Sequence, residues 1–221
     1  MPVLLLKTAV TILNQFVAHW QTLENEPGLA AVVLPVGYTI DNLVADRAAL
    51  ETAIIAQESF DNRETVAMST RDALKAALVP RLLQFRKIVG GLLSGSAYAE
   101  RLPTLPKHTV SPGKFLAPFN DAANLWQQIN AAPPPGFSAP LVLPVGYGFG
   151  NYSSELSALA AAFKKVDDTA LNAALARSRR DALIAPIETR LKQYRIAVHA
   201  VLPMDSPLLK TVPRFTPPRK R

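Results

Sequence analysis

The pentapeptide Leu34-Pro35-Val36-Gly37-Tyr38 returns as Leu143-Pro144-Val145-Gly146-Tyr147, 109 positions further along a chain of 221 residues. A repeat over such a distance restricts the fold more than composition does, because whatever one copy forms the other must also form. The same shift, without a gap, lays Ser69, Arg71, Asp72, Ala73 and Leu74 on Ser178, Arg180, Asp181, Ala182 and Leu183. It then lays Arg81, Leu82, Gln84, Phe85, Arg86, Val89 and Leu92 on Arg190, Leu191, Gln193, Tyr194, Arg195, Val198 and Val201. Upstream of the pentapeptide the shift is 106, pairing Asn14 and Trp20 with Asn120 and Trp126, so the second copy holds a three-residue insertion in its Pro133-Pro134-Pro135-Gly136 connector. The expected organisation is two repeats. Residues 1–106 end in a proline-rich strap, and residues 107–221 end in a basic, proline-rich tail.

Each copy reads as three helices. In the first, from about Val3 to Leu23, Leu6, Val10, Leu13, Val17 and Trp20 share one face, and Glu26-Pro27-Gly28 stops the helix. The second follows the pentapeptide, with Thr39 as N-cap and Asn42 at the third helical position. Its stripe is Ile40, Leu43, Arg47, Leu50 and Ile54, overlain by Phe149, Tyr152, Leu156, Leu159 and Phe163. Arg47 falls inside that apolar arc and is expected to lay its methylenes on the core with its guanidinium at the rim. Asp61-Asn62 reads as a turn, and Asp167-Asp168 as a helix start. The third helix, roughly 30 residues, carries Leu74, Leu78, Leu82, Phe85, Val89 and Leu92, matched by Leu183, Ile187, Leu191, Tyr194, Val198 and Val201. These spacings are close to a coiled-coil seam, with Pro80 and Pro186 expected to kink their helices.

With 49% apolar residues, 10 glycines and 19 clustered prolines, the chain reads as helices joined by stiff connectors. The expected class is all-α: an elongated antiparallel bundle with a pseudo-two-fold relation between its three-helix units. The apolar start Met1-Pro2-Val3-Leu4-Leu5-Leu6 lacks a basic leader region and breaks at Lys7 and Asn14, so it reads as a structural helix rather than a signal peptide. No apolar run reaches the ~20 residues that span a bilayer. The expected location is cytoplasmic, although the absence of cysteine says little about compartment.

The polar residues shared by both copies are the candidate site. On a wheel with Val89 at zero, Arg71 falls at about 0°, Arg81 near −80° and Arg86 near +60°, bordering the buried face. They and their counterparts Arg180, Arg190 and Arg195 are expected to cover the core rim and bond helix ends or carboxylates such as Asp46 and Glu155. The competing reading is a pair of anion sites. Tyr38 and Tyr147 read as anchors of the pentapeptide turns, their hydroxyls bonded to carbonyls, and Trp20 and Trp126 as core. His19, His108 and His199 have no partner at metal-binding spacing, and the glycines of Gly146-Tyr147-Gly148-Phe149-Gly150 follow no strand, so no metal or cofactor is expected.

The formal net charge is +7, with a basic cluster at Arg177, Arg179 and Arg180 and a tail ending Arg219-Lys220-Arg221. The leading expectation is a non-enzymatic structural or protein-interaction protein, a scaffold, spacer or assembly subunit that binds a protein partner or itself. The alternative is a nucleic-acid-associated helical protein acting through that cluster and tail.

Overall fold

The computed structural model describes residues 6–29, 31–105 and 111–214. Among them all regular structure is helical, apart from two isolated bridges, Leu34 with Tyr38 and Leu143 with Tyr147. The helices are α1 (Leu6–Glu24), α2 (Ile40–Leu92), α3 (Ala97–Glu100), α4 (Pro112–Ala131), α5 (Phe149–Val201) and α6 (Pro207–Thr211). Local chemistry sets their ends. Gly28 takes φ +85° after α1, a conformation open to glycine without steric cost. Before α2, the Thr39 amide donates to Asn42 Oδ1 at 2.9 Å, satisfying one of the donors that a helix start leaves free. Pro112 opens α4, where its missing N–H costs nothing.

Two sequence expectations are corrected here. Asp61-Asn62 is not a turn, and Asp167-Asp168 is not a helix start: each pair lies inside one continuous helix of 53 residues. No glycine or proline interrupts Ile54–Val79, and the Asp61 carboxylate accepts from Gln57 (2.6 Å) and Arg177 (2.6 Å) instead of from its own backbone. The apparent break has a different origin. At about 100° per residue, the buried residues of α2 after Leu78 sit roughly a quarter-turn around from Leu43 and Leu50. The ends of the third stripe are also displaced by one position. Leu92 is 69% exposed and Val201 42% exposed, while Leu93 and Leu202 are buried.

The change of face follows from what each half of these helices covers. One compact unit comprises residues 1–61 and 172–221, the other residues 62–171. This partition differs from the division into sequence copies. Because α2 continues unbroken into the other unit, the end of α5 rather than the second half of α2 packs with α1. In the first unit Leu13, Phe16 and Trp20 of α1 pack with Leu43 and Leu50 of α2 and with Leu191, Tyr194 and Val198 of α5. In the second, Phe115, Phe119 and Trp126 of α4 pack with Leu82, Phe85 and Val89 of α2 and with Tyr152 and Leu159 of α5. Each such side chain contributes about 1.5–3 kcal/mol by leaving water. The central rings correspond: Trp20 stacks on Tyr194 at 4.5 Å between centroids, and Trp126 on Phe85 at 5.1 Å.

Candidate functional site

Each unit holds one Pro-Val-Gly turn, and both turns have the same unusual backbone. Val36 has φ 67° and ψ 24°, Val145 φ 66° and ψ 28°, and the glycines that follow have φ 70°. A β-branched residue in the left-handed region is a true outlier, costing about 1–3 kcal/mol relative to an unstrained backbone. Glycine would hold this conformation freely. The valine side chain gains nothing from the fold in return, being 94% exposed at Val36 and 100% exposed at Val145. Val33 and Val142, three residues earlier, are exposed too. No charged residue falls between Glu26 and Asp41, or between Asp121 and Glu155, so the tip segments themselves are uncharged in a chain of net charge +7.

What holds each tip is a four-residue support. Leu34 and Tyr38 close the first turn by two backbone bonds, 2.8 and 3.3 Å, and Leu143 donates to Tyr147 at 2.8 Å in the second. The Arg190 guanidinium lies 5.0 Å from the centre of the Tyr38 ring, donates to the Pro35 carbonyl at 3.2 Å and is itself fixed by Gln193 at 3.0 Å. Tyr38 donates its hydroxyl to Asp46 at 2.6 Å. In the second unit Arg81 stands 4.4 Å from the Tyr147 ring centre and bonds Gln84 at 3.1 Å, while Tyr147 donates to Glu155 at 2.8 Å. Burial first, and then the bonded carboxylate, raises both hydroxyls well above the ordinary phenol range, against the pull of the neighbouring arginine. The tyrosines therefore stay neutral donors. An arginine over an aromatic face adds about 0.5–2 kcal/mol.

These contacts differ from the expected ones in an informative way. Asp46 and Glu155 accept from tyrosine hydroxyls, where arginine partners were expected, and the hydroxyls meet carboxylates where carbonyls were expected. Arg81 serves the tyrosine of the other copy, as does Arg190. The signal for the support was present as a tyrosine eight positions before a carboxylate in each copy. The left-handed valine left no signal, since Pro-Val-Gly is compatible with ordinary turns.

The remaining candidates lie elsewhere. Trp20 and Trp126 are fully buried; Trp126 Nε1 donates to the Leu141 carbonyl at 3.0 Å, whereas Trp20 Nε1 has no partner. Arg71 pairs with Asp72 at 2.8 Å, and Arg180 with Asp181 at 2.6 Å and with Gln57. Arg86 and Arg195 are half-buried, each with a buried Nε that lacks a partner, as does Arg47, whose Nη1 donates to Asn14 at 3.0 Å. Of the basic cluster, Arg177 is held by Asp61 at 2.6 Å and Arg179 is exposed. Arg219, Lys220 and Arg221 lie outside the described residues, as does His108. Among the described residues no helix is long and apolar enough to cross a membrane. No protein-family model, no curated protein and no solved structure matches this chain.

Proposed function

We propose that this chain is an internally duplicated, non-enzymatic structural or protein-interaction protein that engages a protein partner, or itself, through its two Pro-Val-Gly tips. The observation that carries the reading is the pair of exposed left-handed valines. Backbone strain at a position that contributes no packing is retained where the side chain is wanted outside, and here the same residue is held the same way twice. The tip segments themselves carry no charge, and the arginine beside each is engaged by its tyrosine and glutamine, which suits an apolar socket on a protein better than a polyanion. The duplication supports two equivalent sites, which would let one chain link two partners in the manner of an assembly subunit.

The test is the double variant Val36→Gly/Val145→Gly, which keeps the turn and removes only the exposed side chains. It should fold, melt no lower than the parent, and show less self-association in sedimentation, or fewer co-purifying proteins, than the parent chain. Unchanged sedimentation together with an unchanged set of co-purifying proteins would overturn the reading.

A further inference from the structure

The element after α5 offers a second feature, independent of the tips. In the first unit α6 lies against the end of α1, with Ser206 capping it and Val212 buried behind it. His19 of α1 is the polar tie. Its Nε2 stands 3.0 Å from the Leu208 carbonyl, and its Nδ1 stands 2.7 Å from the Tyr194 hydroxyl. A carbonyl can only accept, so Nε2 carries a proton. In the neutral ring Nδ1 is then an acceptor, and Tyr194 donates to it. Both groups are buried, Tyr194 completely.

A second proton has no good place in this arrangement. It would convert Nδ1 into a donor and force the Tyr194 hydroxyl to turn its own proton away from the ring, while setting a cation at a buried position. The charged groups on the elements meeting at His19 compensate little. Glu24 on α1, His199 on α5 and Lys210 on α6 are exposed, and Arg195 on α5 is half-buried and of the wrong sign. Glu24 is the carboxylate whose charge is felt at Tyr194, but from a solvated position. His19 is among the residues that line a crevice of about 490 Å³, together with Ala18, Thr22, Leu208 and Thr211.

The second unit fills the same two positions with apolar side chains. There Leu125 stands at the position of His19 and Phe85 at that of Tyr194, both buried. Its strap is tied instead by Tyr98 donating to the Ala132 carbonyl at 2.7 Å and by Arg101 donating to Gln128 at 3.1 Å, bonds that no mildly acidic pH would titrate.

We propose that His19 and Tyr194 form a pH-sensitive latch: the neutral pair clamps α6 onto α1, and protonation of His19 releases α6, while the corresponding strap of the second unit stays closed. Histidine is the side chain that changes charge between pH 5 and 8. The latched state binds one proton fewer than the released state, so release grows with acidification, by up to tenfold for each pH unit.

Hydrogen exchange on the full chain tests this. Corrected for intrinsic rates, protection of the Leu209, Lys210 and Thr211 amides should fall by up to tenfold per pH unit between pH 6.5 and 5, while that of Arg101 stays level. In His19→Leu/Tyr194→Phe, which installs the pair found in the second unit, protection of α6 should become independent of pH, and in His199→Gln the parent's dependence should persist. Level protection in the parent chain overturns the proposal by itself, whether or not the double variant folds. So does a pH dependence that survives in the folded double variant or vanishes in His199→Gln.

Discussion

At Val36 and Val145 the backbone works against the side chain, and this yields an unusual expectation for stability. Val36→Gly should relieve left-handed strain while removing a side chain that buries nothing, and should raise the unfolding free energy by up to about 1 kcal/mol after the entropy that glycine returns to the unfolded chain. A loss of more than 1 kcal/mol in urea denaturation would show that the valine packs after all. The tyrosines below the tips are expected to be silent to moderate alkali. In Tyr38, Tyr147, Tyr152 and Tyr194 burial is the largest influence raising the hydroxyl above its ordinary value near 10. The fold thus favours their neutral forms; this stability is complete below about pH 10 and is lost as pH rises beyond it. Phenolate absorbance should therefore lag in the native protein and appear with unfolding. A smooth titration of all 5 tyrosines near pH 10 in the folded chain would contradict the burial described.

At the scale of elements, α2 and α5 carry the main lesson. Their stripes were legible in the sequence because burial repeats every three or four residues whatever the partner, and Leu82 and Leu191 are indeed completely buried. Leu82→Ala and Leu191→Ala should each cost about 2–5 kcal/mol. Leu92→Ala, at an exposed position, should stay within about 0.5 kcal/mol. The continuity of α2 was hidden because a stripe that changes face looks like two helices. A proline test separates the two: Asn62→Pro would be tolerated in a turn, but inside a continuous helix it removes a bond to the preceding turn and should cost about 3 kcal/mol or more by thermal or urea unfolding. The supports of the tips were only half legible. Their residues stood out as shared, yet Arg190 lies 155 positions from the Pro35 carbonyl it bonds, and no local pattern reports a contact over that distance.

At the scale of the whole molecule, each compact unit takes residues from both halves of the chain, and two helices contribute to both units. Unfolding should accordingly be shared. With Trp20 reporting on the first unit and Trp126 on the second, Trp20→Phe and Trp126→Phe chains should melt in single, coincident transitions, and Leu191→Ala should lower both. Separate transitions would mean that the units fold independently despite their common helices. The all-helical class, the cap at Thr39, the stop at Gly28 and most of the buried stripes follow from the sequence alone, because each depends on residues within a turn or two of one another. The tertiary structure decided that α2 and α5 run unbroken, that Arg81 and Arg190 each stack on the other copy's tyrosine, that His19 meets Tyr194, and that two valines stand outward in a glycine's conformation. Those outcomes depend on which distant segments share a core, and the sequence carries the periodicity of a buried face but not the identity of what covers it.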